Sequence, residues 1–301
     1  MVPQCTVPTA RMIRRSPWTS GRPVQRGGPA AAIITLLAVA ALITLVAAGT
    51  QQPPPGPDLG RDAPLLDPKD PNGAWAGYSA GKHGGPPVGT RIPAGAVAGM
   101  DVSGHQRDVD WPRAMADGAR FTYIKTSEGN AYNSPVFSHQ YDGAGAAGMI
   151  RGGYHFALPD RSSGAQQAHF FVDNGGGWTR DGKTLPGAVD IETNPYGDVC
   201  YRMNPQQLAG WLTDFSTTYA SRTGRTPMIY TTSRWWHRCT ADNPSFAAHN
   251  PLWVARYAPE IGPLPAGWGF HTMWQFADAG KFPGDQNTFN GSIEQLRNFV
   301  H

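Results

Sequence analysis

The sequence predicts an irregular α/β barrel from about residue 96 to the C-terminus, and three observations carry that expectation. Short apolar runs alternate there with helix-like segments at a fairly regular interval, the mark of a mostly parallel sheet. Some 205 residues hold seven or eight such runs, and no Gly-x-Gly-x-x-Gly or Walker loop follows any of them, which favours a compact barrel over a doubly wound sheet. Polar or aromatic residues stand where nearly every run ends, and barrel enzymes build their sites on the C-terminal rim of their strands.

The chain ahead of the barrel divides by composition. Residues 1–28 carry five arginines and no acid, and read as a basic cytoplasmic leader. Within 29–49, the nineteen residues Ala30–Ala48 carry no charge, long enough for a membrane-crossing helix. Arginines before such a run stay inside, so everything beyond residue 50 is expected outside the cell, secreted or anchored. Val46-Ala47-Ala48 has the small residues of a signal-peptidase site, while the run exceeds most signal cores, so signal peptide and membrane anchor both fit. Arg14-Arg15 lies too far upstream for a twin-arginine signal. Residues 50–95 are rich in Pro and Gly and read as a disordered, extended spacer.

The net charge of +3 belongs to the leader, because residues 96–301 hold 16 Lys+Arg against 18 Asp+Glu. A nucleic-acid partner therefore has no electrostatic support. The expected state is a monomer without cofactor or metal. Cys200 and Cys239 stand 39 positions apart. In an exported domain they can pair, closing a loop worth very roughly 3 to 4 kcal/mol, and the export signal favours a disulfide over two separate buried thiols.

Strands are predicted over 96–102, 121–125, 150–157, 188–192, 227–231, 252–256 and 272–276, and helices over 111–117, 135–147, 164–172, 204–222 and 292–300. At the strand ends stand Asp101, Lys125 with Glu128, Tyr154 with His155, Asp190 with Glu192, Tyr230, Tyr257, and Trp274 with Gln275. Each has a bland reading alone: a turn-capping Asp, a barrel-filling Tyr, a core histidine. Their joint placement points to a site, since Tyr and Trp faces bind the C–H surfaces of sugar rings.

The stretch Leu185–Glu192 is the chemical centre. In a strand, Asp190 and Glu192 share one face about 6 to 7 Å apart while Ile191 points the other way. Two carboxylates this close resist ionising together, which yields a proton donor beside a charged stabiliser near neutral pH.

The segments Gly99-Met-Asp-Val-Ser-Gly-His-Gln106, Phe121-Thr-Tyr-Ile-Lys-Thr-Ser-Glu-Gly129, Arg151-Gly-Gly-Tyr-His-Phe-Ala157, Val189-Asp-Ile-Glu192, Trp274-Gln-Phe276 and Gly284-Asp-Gln-Asn-Thr-Phe-Asn-Gly291 resemble, in order, the motifs of the glycoside hydrolase family 25 muramidases, the Chalaropsis-type lysozymes. The resemblance covers residues 97–300, and is nearest to actinobacterial secreted members, in which a pair like Cys200 and Cys239 is joined. It implies a flattened (β/α)5(β)3 barrel and cleavage of the β-1,4 bond between N-acetylmuramic acid and N-acetylglucosamine in peptidoglycan. It further implies Glu192 as general acid/base, Asp190 as the group that orients the sugar's N-acetyl, Asp101 and Asp285 in the same acidic groove, and Tyr154 and Trp274 against the sugar. Tyr230, Tyr257 and Glu128 complete the expected substrate contacts. Two positions depart from the pattern: His105 stands where many relatives have Trp, and Phe276 replaces a frequent Tyr.

Without an obvious nucleophile, substrate assistance is the favoured route, in which the N-acetyl carbonyl attacks the anomeric carbon; inversion with Asp101 as base is the alternative. A wall-binding module without catalysis conflicts with retention of all four acids. A metal hydrolase built on Asp101, His155, Glu192 and Asp285 lacks any tight ligand spacing. No Gly-x-Ser-x-Gly supports a serine hydrolase.

Overall fold

A computed structural model describes residues 66–301 except Pro68. The leader, the apolar segment 30–48 and the start of the spacer lie outside the described residues. Among the described residues no helix is long and apolar enough to cross a membrane.

Eight strands close into a barrel: β1 (Val97–Val102), β2 (Phe121–Glu128), β4 (Ile150–Phe156), β5 (Ala188–Asp190), β6 (Met228–Thr231), β7 (Leu252–Ala255), β8 (Met273–Ala277) and β9 (Asp285–Phe289). A two-residue strand, β3 (Tyr132–Asn133), is added to the end of β2. The pairs from β1 through β2, β4, β5, β6 and β7 to β8 are parallel, and β9 closes the ring antiparallel to both β8 and β1. Five helices follow the first five parallel strands: α1 (Trp111–Ala116), α2 (Phe137–Ala146), α3 (Gly164–Phe171), α4 (Pro205–Thr223) and α5 (Ser233–Thr240). The last three strands have none between them, and α6 (Ile293–Phe299) ends the chain. This is the (β/α)5(β)3 order implied by the motifs.

Local chemistry accounts for the helices. Asn204 caps α4 with Gln207 in a reciprocal box, Pro205 opens it, and Gly224 ends it in the left-handed conformation. Its buried residues Leu208, Trp211, Leu212, Phe215 and Tyr219 recur at spacings of three and four, one face turned to the barrel. Helix α5 and strand β9 were not among the predicted elements. Helix α5 buries only Trp235, Trp236, Cys239 and Thr240 across two turns, too short a pattern to read against its charges. Strand β9 reads Asp-Gln-Asn-Thr-Phe: Asp285 and Asn287 face the polar mouth, while Gln286 on the other face bonds the backbone of Phe282 and Gly284.

Strand parity sorts the core into layers. Phe121, Tyr123, Tyr154, Ala188, Met228, Tyr230, Trp253 and Met273 fill the barrel, and Val189, Ile191 and Ile229 face outward to the helices. Cys200 and Cys239 form the expected disulfide, with Cα atoms 5.3 Å apart, joining the loop after β5 to α5.

Candidate active site

Parallel strands present their C-terminal ends at one mouth, and the antiparallel β9 brings its first residue there. Asp285 accordingly pairs in register with Asp101, near the end of β1. Around the same mouth, Asp190 lies beside Tyr230 on β6, and Tyr154 beside Lys125 on β2. The ladder continues past β5 through the Ile191 amide to the Tyr230 carbonyl, 3.0 Å. That continuation keeps Asp190 and Glu192 on the inner side and sends Ile191 into the outer core, as the alternation predicts.

All four acids are buried, and burial is the first cause of their raised proton affinity. It lifts Glu192 to about 7 and Asp101 to about 7. Asp190 is raised further by the adjacent Glu192, and Asp285 by Asp101. Lys125 pulls the other way on Asp190, favouring its charged form. Neither oxygen of Asp190 has a hydrogen-bond partner among the described residues. A buried carboxyl in that condition requires explanation, and a ligand amide would satisfy it.

A side-chain amide ties the other wall together. Gln275 Nε2 donates to Asp101 Oδ2 at 2.8 Å and to Asp285 Oδ2 at 3.1 Å. Its Oε1 accepts from the hydroxyls of Tyr230 at 2.8 Å and Tyr257 at 3.1 Å. Asn287 Nδ2 adds a second donor to Asp101 Oδ2, 2.6 Å. Opposite, the buried Lys125 ammonium is ion-paired with Glu128, whose other oxygen accepts from the Tyr196 hydroxyl at 2.6 Å. Asn287 and Tyr196 were not among the expected site residues, and Gln275 and Lys125 carried no expected role. Gln275 and Lys125 did stand at predicted strand ends, where a polar residue inside an apolar strand is itself the signal.

Trp274 and His155, both at expected strand ends, face away from the mouth. Trp274 does not reach the mouth: it sits between Met273 and Gln275, which face inward, so its indole points out to pack with Leu252 and Val254 and donates to the Arg256 carbonyl. His155 also faces outward, its nitrogens bonded to Ser127 Oγ at 2.9 Å and Gln167 Oε1 at 3.0 Å, its ring stacked on Phe215. Burial pushes it down to about 4, so it is a neutral core histidine and not a ligand facing the acids. Among the described residues no cluster of His, Cys, Asp and Glu could hold a metal.

The expected spacer is also different in one part. Residues 72–79 lie across the mouth, with Ala74 and Ala76 fully buried. The Ala74 amide donates to Glu128 Oε2 at 2.9 Å, the Ala76 amide to the Tyr154 hydroxyl at 3.3 Å, and the Gly77 amide to Glu192 Oε1 at 3.1 Å. The Ser79 amide donates to Glu192 Oε2, Lys125 donates to the Ala74 carbonyl, and Gln275 Nε2 donates to the Ala76 carbonyl at 3.1 Å. Backbone groups supply most of these contacts, so the segment packs although little of its buried surface comes from large side chains in an apolar core. Beside this segment a cavity of about 460 Å³ is lined by Trp75, Lys82, Asp101, His105, Tyr154 and Asp285 among others.

The profile of glycosyl hydrolases family 25 matches residues 100–285. The chain is 46% identical over 207 residues to the N,O-diacetylmuramidase of Arthroderma benhamiae, a match covering 69% of this chain and 88% of that protein. It is 41% identical over 251 residues to lysozyme M1 of Streptomyces globisporus, covering 81% of this chain and 83% of that one. A match of that extent includes residues 72–79 wherever it begins. The solved muramidase of Acremonium alcalophilum superposes with a TM-score of 0.67 at 51% identity, over 68% of this chain and 98% of that structure.

Proposed function

The chain belongs to glycosyl hydrolase family 25 and is a glycoside hydrolase; from that premise we propose that it is a muramidase acting on peptidoglycan, with Glu192 as general acid/base and Asp190 as the group that holds the substrate's N-acetyl amide. The bond cleaved is the β-1,4 link from N-acetylmuramic acid to N-acetylglucosamine. The observation that carries the assignment of roles is the difference between the paired acids. Glu192 accepts hydrogen bonds from the segment across the mouth, whereas Asp190 lies buried beside Lys125 with both oxygens unpartnered among the described residues.

With the mouth open to substrate, Glu192 is released from those backbone donors and is free to turn its carboxyl proton toward the cleft. It then delivers that proton to the leaving glycosidic oxygen as the bond to the anomeric carbon breaks. Asp190, whose two oxygens have no other hydrogen-bond partner among the described residues, accepts from the N–H of the N-acetyl group and aims the carbonyl oxygen at the anomeric carbon. Attack by that oxygen from the opposite face gives a cyclic intermediate. Glu192, now ionised, draws a proton from the water that opens it, and configuration is retained. Asp101 is less suited to activate a water, because its Oδ2 is already engaged by the amides of Gln275 and Asn287.

Tyr154, Tyr230, Tyr257, Glu128, Asp101 and Asp285 form the binding wall in this reading. The enzyme works outside the cell on glycan strands, as a monomer, carried there by residues 30–48 as signal or anchor. Mass spectrometry of solubilised wall tests the assignment: the new reducing ends are expected on N-acetylmuramic acid. Ends on N-acetylglucosamine would reject the bond proposed.

A further inference from the structure

Residues 72–79 occupy the groups that the proposed reaction needs. Both oxygens of Glu192 accept from backbone amides of this segment, so peptide backbone stands against its carboxyl where a glycosidic oxygen would have to be. Tyr154, Glu128, Lys125 and Gln275 are engaged as well. What engages them is peptide backbone, a run of secondary amides, the same chemical group as the N-acetyl substituents of amino sugars. The segment follows the polar lining closely. Gly73 and Gly77 have φ of +61° and +120°, and an added Cβ would lie 2.5 Å from Glu128 Oε2 and 2.6 Å from Asp285 Oδ2 respectively. Side-chain contacts fix it further: Trp75 meets the His105 ring edge-on at 4.9 Å, and Ser79 Oγ accepts from the Thr193 amide at 2.7 Å. His105 thus contributes its aromatic contact to the chain's own segment.

We propose that residues 72–79 are an intramolecular inhibitor that keeps the muramidase latent until the segment is displaced, an inference that rests on Glu192 as the acid. The connection to β1 keeps the segment at high local concentration over the mouth, so weak individual contacts suffice. Cutting that connection removes the advantage without touching the barrel. The stretch to cut is exposed: Val88 is 98% accessible, and the glycines at 84, 89 and 95 have open space or only distant neighbours.

The test uses the full chain in three forms: unaltered, with Gly73→Val and Gly77→Val together, and with a site for a specific endopeptidase inserted after Val88, assayed before and after cutting and dilution. Initial rates of peptidoglycan solubilisation are expected to rise about tenfold or more in the double variant and in the cut chain. Equal rates in all forms would overturn the inhibitor. If the double variant fails to fold, the cut chain alone decides. Co-sedimentation of each form with insoluble peptidoglycan, on ice and before any solubilisation, separates the two readings. Tighter binding by the cut and double-variant chains supports the inhibitor even where no form is lytic, in which case the catalytic reading fails alone; binding unchanged by cutting and by the two valines rejects the inhibitor.

Discussion

Glu192 and Asp190 differ by two positions in the chain and by everything around their oxygens. Replacing Glu192 with Gln keeps shape and removes the transferable proton, and turnover is expected to fall by about two to four orders of magnitude. In the unaltered enzyme the alkaline limb of the rate profile should fall as pH rises through about 7, where this buried acid ionises. Any residual rate in Glu192→Gln should lack that limb, and a limb that persists would assign the proton to another group. Asp190→Asn is expected to lower kcat more than it raises KM, since holding the amide matters most as the anomeric carbon is attacked. Gln275 shows in the sequence only as a polar residue at the end of an apolar strand. Its one amide serves two acids and two tyrosine hydroxyls, so Gln275→Leu leaves several buried polar atoms unpaired. Urea titration should show a loss of about 2 to 4 kcal/mol. The misplacement of Trp274 teaches the complementary lesson. Trp, Gln and Phe follow one another on β8, and the outer surface of a barrel strand is covered by helices or loops as completely as the inner, so hydrophobicity alone cannot say which side faces in.

At the scale of elements, legibility followed the number of turns available to display a period. Helix α4 shows five buried apolar residues on one face and both capping signals, and its predicted bounds match the structure to within a residue. Helix α5 lies between Thr232, which caps it, and Ala241 in the left-handed conformation, and has too few turns to announce itself. Its position depends on the disulfide to the loop after β5. Replacing both Cys200 and Cys239 with Ser should therefore cost about 4 kcal/mol by loop-closure entropy, read as a lower urea midpoint. Amide exchange should rise first in α5 and in the loop that carries Cys200, because those are the elements the bridge joins. The segment 72–79 was illegible for a different reason. Its contacts with the acids and polar groups of the mouth run through backbone amides and carbonyls, which every residue possesses, and composition describes only side chains.

For the whole molecule, the mouth concentrates a cost that the rest of the fold must offset. Asp101, Glu192, Asp190 and Asp285 all have proton affinities raised by burial, so the folded state binds more protons than the unfolded chain between about pH 4 and 7. Their contribution to stability is present at low pH and lost as pH rises. His105, His155 and His271 are lowered by burial and act in the opposite sense up to their unfolded value of about 6.5, with His155 down to about 4. Four raised acids outweigh three lowered histidines, so the Tm should be higher at pH 5 than at pH 7.5, by calorimetry. Asp101→Asn with Glu192→Gln should narrow that difference; an unchanged difference would place its origin outside the mouth. The sequence by itself determined the alternation of strand and helix that makes a barrel, two cysteines able to pair and the shared face of Asp190 and Glu192, because each is set by local period or spacing, while the (β/α)5(β)3 order came with the resemblance of its motifs to family 25. Only the tertiary structure decided which side of β8 carries Gln275, how one amide joins acids from β1 and β9, and that the chain's own backbone lies across the mouth. Those depend on groups far apart in sequence meeting in space, where hydrogen-bond geometry, not residue type, selects the partner.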